Sequence, residues 1–264
     1  MVYFYRSGKC RIPREKLQKL VEASNYRLNQ NSLTFVKGNF ALQMPTISEM
    51  NEDMAEFLGI LYGDGCLGSR KFLVDISGDS KADLRYHKFR VAPLIMKLFG
   101  LAPRFKYETH AQEMHTLLTS KMVHSHISRE FSFPIGYKKD RMEIPKIILQ
   151  SDLYKKAFLR GLFDTDGGVH RHHKTSIQVQ FTSTDPNFIR QVCGLFREFG
   201  YNARINGNDI QIHGKKEIDR FFQEINPKNP KHRYKFVQYK RVGVVPLHRE
   251  IDYSVLNGAE SIVI

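Results

Sequence analysis

The chain has 264 residues with 41 Lys and Arg against 27 Asp and Glu, a formal charge of +14 that favours a polyanionic partner. Its three cysteines, Cys10, Cys66 and Cys193, are isolated, which excludes a disulfide framework or a paired-cysteine metal site and fits a reducing, cytoplasmic setting, whether nucleoid-associated or an organellar matrix. No apolar run reaches the ~20 residues of a membrane span, and the N-terminus lacks the charged-then-apolar order of a signal peptide, so no membrane partner is expected.

The first expected element is a short helix over residues 12–24, with Pro13 at its start and Leu17, Leu20 and Val21 on one side. It belongs to an N-terminal extension, residues 1–48, outside the pattern that organises the rest. That pattern begins with "FLGILYGDG" (57–65), an apolar helix ending in Asp-Gly, which returns as "LRGLFDTDG" (159–167). Pairing Asp64 with Asp166 also pairs Gly59 with Gly161 and Gly65 with Gly167. Downstream, "FLVDISGDSKAD" (72–83) lines up with "IQVQFTSTDPNF" (177–188), and "KLFGLAPRF" (97–105) with "REFGYNARI" (197–205). Each half therefore repeats one order: apolar helix, Asp-Gly, strand, polar turn, helix ending in Phe-Gly, then further strand. The halves are set at residues 49–152 and 153–264.

Alternation defines the strands. Ile177, Val179 and Phe181 share one face, while Ser176, Gln178, Gln180 and Thr182 share the other. Around a turn at Asn206-Gly207, Ile205, Ile210 and Ile212 point inward and Arg204, Gln211 and His213 outward. In the first half Phe105 and Tyr107 alternate with Arg104, Lys106 and Glu108. Both outward faces are rich in groups that hydrogen-bond bases or phosphates, Arg and Lys suiting guanine and Gln suiting adenine. The run "HRHH" (170–173) lacks a Cys or Glu partner at a known zinc spacing and is expected to face solvent or phosphate.

The Asp-Gly ends carry the chemistry. Gly59 and Gly63 share a helix face, as do Gly161 and Thr165, and close approach of the two helices would explain why glycines that cost a helix ~1 kcal/mol sit there. Gly65 and Gly167 are expected to be left-handed caps. Asp64 and Asp166 then fall at helix C-termini, where the macrodipole disfavours a carboxylate by ~0.3–1 kcal/mol and a bound cation reverses the penalty. Side by side they form an oxygen-rich site suited to Mg²⁺.

These two motifs, with "PIGYKKDRMEIPKIIL" (134–149), "YKKAFLRGLFDTDGGV" (154–169) and "KNPKHRYKF" (228–236), resemble the LAGLIDADG homing endonucleases in their single-chain, two-motif form. Tyr62, where the second copy has Asp164, departs from the pattern outside the metal-ligand position. The resemblance implies an α+β fold of duplicated αββαββα repeats with pseudo-two-fold symmetry, whose antiparallel sheets form a DNA-binding saddle. It also implies a monomer that cuts both strands of double-stranded DNA at a long site, leaving staggered ends. Mg²⁺ would be held by Asp64 and Asp166, with the carbonyls of Gly63 and Thr165 nearby and Mn²⁺ or Ca²⁺ as substitutes for binding. One basic residue per centre is expected, Lys138 or Lys139 in the first half and Lys231 or Arg233 in the second. Gly78 or Asp79 and Ser183 stand where the family places a further polar group, so the centres are expected to work unequally.

The run from Lys228 to Arg241, including Lys235, holds no acid and is expected to meet phosphate. An intron RNA maturase and a non-cleaving transcriptional regulator on the same fold are the alternatives. An intein is not expected, because the chain starts at Met1 and its end "LNGAESIVI" lacks a His-Asn pair.

Overall fold

The computed structural model describes residues 46–173 and 175–258, together with Lys16, Lys19, 35–37 and 40–42. Of the helix expected over 12–24, only Lys16 and Lys19 are described, both helical; Leu17, Leu20 and Val21 lie outside the described residues. Residues 1–44 form a unit of their own, in which β1 (Phe35–Lys37) and β2 (Phe40–Leu42) pair antiparallel. The second unit starts at Pro45 and contains both repeats.

Its first helix, α1 (Glu52–Asp64), starts where the Asn51 side chain accepts the Met54 N–H, with Glu52 and Asp53 favourably placed in the first turn. Residues 54–63 are buried without a break, the mark of a helix enclosed on all sides. Its counterpart α4 (Asp152–Asp166) is buried in the same way from Ala157 to Thr165. The two pack against each other at the glycines: a Cβ on Gly59 would lie 2.8 Å from the Leu162 nitrogen and closer still to the Phe158 carbonyl. One on Gly161 would lie 2.8 Å from the Ile60 nitrogen and closer still to the Glu56 carbonyl. Backbone meets backbone there because neither helix has a side chain at the contact.

Each helix runs into a four-stranded antiparallel sheet of the same topology. The first is ordered β3 (Gly65–Leu67), β4 (Leu73–Asp79), β6 (Glu113–Thr119), β5 (Arg104–Tyr107). The second is ordered β7 (Gly167–His172), β8 (Ser176–Thr182), β10 (Asp209–His213), β9 (Arg204–Asn206). Val74, Ile76, Met114 and Leu118 line the inner face of one sheet, and Val169, Val179, Phe181 and Ile212 that of the other.

Between β4 and β5 the chain runs helically from Leu84, through a π-helical stretch at His87–Val91, into α2 (Ala92–Phe99), which ends at left-handed Gly100. The corresponding helix is α5 (Pro186–Glu198). Helices α3 (Lys121–Glu130) and α6 (Lys215–Glu224) follow the last strands, and α7 (Pro230–Val242) and α8 (Tyr253–Gly258) are the last helices among the described residues. No helix among the described residues is long and apolar enough to cross a membrane.

Two expectations need correcting. Gly65 and Gly167 are not left-handed: their φ, ψ values are −94°, 158° and −94°, 168°, extended backbone open to any residue. They are glycines because a Cβ would collide with the preceding turn, 2.6 Å from the Leu61 Cα in one case and inside contact of the Phe163 carbonyl in the other. Ile205 is also not core. It lies on the edge strand β9 and is 39% exposed, whereas its hairpin partner Ile210 is buried.

Candidate active site

About one and a half turns beyond the glycine contact, α1 and α4 end together, and the carboxyl groups of their last residues, Asp64 and Asp166, interact with each other. Beside them the bare Cα of Gly63 accommodates Thr165, whose Oγ1 donates back to the carbonyls of Gly161 and Leu162 at 3.1 and 3.0 Å. Burial pushes both carboxyls above the usual carboxylate range. The charge of Asp64 raises Asp166 further, and that of Asp83 raises Asp64. A shared proton is the natural state of such a pair without a cation.

Two lysines temper this charge. Lys138 comes from the segment after α3, and its ammonium donates to the carbonyls of Tyr62 at 2.8 Å, Gly65 at 2.9 Å and Gly63. It thereby satisfies orphan acceptors at the C-terminus of α1 and supplies the strongest favourable charge on Asp166. Lys231, in the first turn of α7, holds Asp83 at 2.7 Å and supplies the strongest favourable charge on Asp64. Lys139 lines the same cleft as Lys138 but makes none of its carbonyl contacts. Arg233 follows Lys231 by two residues in the same helix. A cleft of about 470 Å³, lined by Gly63, Cys66, Lys138, Asp166, Thr182 and Ser183, opens over the Asp166 centre.

The donor set fits a hard divalent cation. It offers two desolvated carboxyls and main-chain carbonyls at two negative helix ends, one of which already receives an ammonium. Among the described residues no three His, Cys, Asp or Glu side chains converge, so water and main-chain oxygens would complete the shell.

Several residues of the centre were not anticipated from the sequence. Asp83 and Asn229 are buried beside Lys231 and bonded to each other at 2.7 Å. The His87 ring fills the volume that a side chain on Gly78 would need, and its Nδ1 bonds Thr116 Oγ1 at 2.7 Å; burial lowers its pKa to about 4. Asp79 is spent on its own turn, accepting the N–H groups of Lys81 and Ala82. Tyr62 and Asp164 prove to be structural equivalents. The Tyr62 hydroxyl donates to the Glu143 carbonyl at 2.7 Å, and the Asp164 carboxylate accepts the N–H groups of Lys228 and Asn229, so each ties its helix to the segment that follows α3 or α6.

The outward sheet faces adjoin the carboxyls: Ser77 Oγ donates to the Asp64 carbonyl at 3.2 Å, and Thr182 lines the Asp166 cleft. On the first sheet, Arg104 stands opposite Leu117 and Lys106 opposite His115, in company with Asp75, Glu113 and Glu108. On the second, Gln180, Gln211 and Arg204 lie across three strands, with His213 beside Gln178. A side-chain chain runs from Gln178 through Gln180 and Thr182 to Asp209. Ser176 is half-buried, and Gln178 is only 6% exposed, less open than strand alternation implied, because the histidines of β7 and β10 crowd it. Lys235 bonds the Val169 carbonyl beside this sheet. Lys228 is half-buried, and burial together with the charge of Arg160 lowers its pKa.

Residues 153–226 match the family model described as a LAGLIDADG-like domain. Among curated proteins, the chain is 35% identical over 176 residues to the replication factor C small subunit of Methanocaldococcus jannaschii, covering 63% of this chain and 9% of that protein. It is 23% identical over 214 residues to a DNA polymerase of Thermococcus litoralis, covering 78% of this chain and 12% of that protein. The chain thus spans only a small part of these relatives. Among solved structures it is similar to I-DmoI in complex with DNA and Ca, at 15% identity and a TM-score of 0.47, covering 66% of this chain and 88% of that one. It is also similar to full-length DUF199/WhiA, at 16% identity and a TM-score of 0.48, covering 75% and 63%.

Proposed function

We propose that this chain, whose residues 153–226 match a LAGLIDADG-like domain, is a site-specific homing endonuclease that hydrolyses both strands of double-stranded DNA with Mg²⁺. The observation that carries the reading is the convergence of Asp64 and Asp166, half-buried at the ends of two paired helices, each lifted above the usual carboxylate range by burial. Folding gains nothing from such a pair, since each carboxyl sits at a negative helix end and loses hydration. The geometry makes sense if a cation joins them. A further support is that proteins as different in name as a replication factor subunit, a translation initiation factor and a DNA polymerase share this segment over a small fraction of their lengths. Such sharing suits a module that travels between hosts.

In this reading Asp64 and Asp166, with the carbonyls of Gly63 and Thr165, hold divalent ions. When bound, these supply an activated water and stabilise the departing 3′ oxygen. Lys138 and Lys231 each present a positive charge where a scissile phosphate arrives. Arg204, Gln180 and Gln211 are placed to read base edges, and Lys235 to meet phosphate. Both centres belong to one chain, so a monomer suffices.

Binding without cleavage is a second reading, favoured by the Lys138 ammonium already seated on the Gly63 carbonyl. Incubation with a randomised plasmid library and Mg²⁺, followed by sequencing of broken ends, separates the two. Staggered ends at one long recurring sequence, absent with Asp64→Asn and Asp166→Asn, are the expected result. DNA or intron RNA binding without enriched ends would replace the nuclease by a regulator or a maturase.

A further inference from the structure

The two halves differ around their lysines, and the difference supports an inference that rests on the nuclease reading. Asp83 and Asp185 each precede the second helix of their repeat. Asp185 caps that helix, its Oδ1 accepting the N–H groups of Asn187 and Phe188 at 3.0 and 3.1 Å, while its Oδ2 takes Met142 N–H at 3.3 Å. Asp83 makes no side-chain cap bond. Its Oδ2 accepts the Asp79 N–H at 3.2 Å, and its Oδ1 receives two donors from the other repeat, Lys231 Nζ and Asn229 Nδ2, both at 2.7 Å.

The pair is enclosed. Asn229 is fully buried, and its amide also donates to the Asp164 carbonyl at 2.8 Å, which leaves it no freedom to turn. The Asp83 side chain is 8% exposed and that of Lys231 19%. His87, wedged over Gly78 and bonded to Thr116, lies beside Asp83. Lys138 has no comparable partner: its bonds go to main-chain carbonyls, whose position follows α1 itself. One lysine is therefore placed by a carboxylate side chain and the other by a helix end.

We infer that Asp83 is a positioning residue for Lys231, so that the centre built on Asp64 depends on Asp83 and the centre built on Asp166 does not. Lysine carries a flexible four-carbon stem, and an ammonium released from Asp83 has Asp64 as its next carboxylate. There it would compete with a metal ion. Loss of Asp83 therefore impairs cleavage of one DNA strand and leaves an enzyme that nicks the other.

The test has one arm that needs no cleavage. Acetic anhydride labelling followed by mass spectrometry compares Lys231 and Lys138 in the wild type and in Asp83→Asn. Faster labelling of Lys231 with Lys138 unchanged is expected; an unchanged Lys231 overturns the inference. The second arm follows each strand separately on the target recovered from the library. Asp83→Asn is expected to slow one strand at least about 30-fold, within the ~10²-fold that misplacing a catalytic group costs, and to accumulate nicked product. Lys231→Met should slow that same strand and Lys138→Met the other, which keeps the inference testable if Asp83→Asn folds poorly. Equal slowing of both strands by Lys231→Met, or by an Asp83→Asn protein of unchanged melting temperature, overturns it. If the wild type cuts nothing, the strand dependence falls with the nuclease reading, and labelling alone decides whether Asp83 holds Lys231.

Discussion

Asp64 and Asp166 are held against their own electrostatics, and pH should expose this. Burial, with the charge of Asp83, pushes Asp64 up to about 6, and burial, with the charge of Asp64, pushes Asp166 to about 7. Unfolded aspartates titrate near 3.9, so the metal-free fold binds more protons than the unfolded chain between roughly pH 4 and 7. Stability from these groups is therefore complete below that window and is lost as pH rises through it. Asp64→Asn or Asp166→Asn should raise the metal-free melting temperature at pH 8 by about 3 °C or more while abolishing the gain on adding Mg²⁺; unchanged melting in both conditions would refute the strained pair. Protons also compete with the metal, so apparent Mg²⁺ affinity, measured by titration calorimetry, should fall between pH 8 and 5.5. Elsewhere a buried charge is well matched. Glu56, fully buried, takes Arg90 on both oxygens at 2.5 and 2.6 Å and Arg160 at 2.8 Å, joining the two repeats. Glu56→Ala would leave Arg160 only Glu52 and the Ile225 carbonyl, take both oxygens from Arg90, and should cost about 3–5 kcal/mol in urea unfolding; less than about 1 kcal/mol would show that water reaches the site. The Asp pair was legible in the sequence because it is repeated, whereas Asp83, His87 and Asn229 follow no pattern there. Only folding brings the end of β4 beside the segment that precedes α7.

At the scale of elements, the glycines at the helix contact test the closest packing in the fold. Gly59→Ala or Gly161→Ala places a methyl inside the partner's backbone, which cannot swing aside as a side chain could. Each should destabilise by about 3 kcal/mol or more and separate the carboxyls, weakening Mg²⁺ stabilisation together with the fold. A wild-type melting curve for either variant would contradict the packing described. The shared helix face was readable from spacing alone, as were the buried rows of β8 and β10. What spacing could not give was why Gly65 and Gly167 are glycines, since a tight backbone reversal and a left-handed cap call for the same residue. Helix α7 was passed over as a basic run although Asn229-Pro230 marks its start and left-handed Gly243 its end. Its charge drew attention from its caps. The π-helical stretch at His87–Val91 has no counterpart in α5 and accompanies the turn of His87 into the centre.

Across the whole molecule, a formal charge of +14 says that phosphate can be attracted but not where. The two sheets answer differently. On the first, Lys106 is bonded to Glu108, and Asp75, Glu108 and Glu113 surround His115, so the outward charges largely cancel. The second presents Gln180, Gln211, Arg204 and a group of histidines, with Lys235 alongside and Asp209 engaged by Thr182. On the nuclease reading, the second repeat therefore supplies more of the non-specific electrostatic attraction and the first relies more on shape and base contacts. Salt separates these contributions, because each phosphate neutralised releases counterions and steepens the fall of log K with log salt by about 0.9. Fluorescence anisotropy on a duplex between 50 and 300 mM salt should show Lys235→Gln lowering the slope by about 1 and weakening binding for every sequence alike. Lys106→Gln should leave the slope nearly unchanged, since removing that ammonium also frees Glu108 to repel phosphate without changing how many phosphates are met. Equal slope changes for the two variants would mean that DNA breaks the Lys106–Glu108 pair and loads both sheets alike, and the electrostatic asymmetry would then be a property of the free protein only.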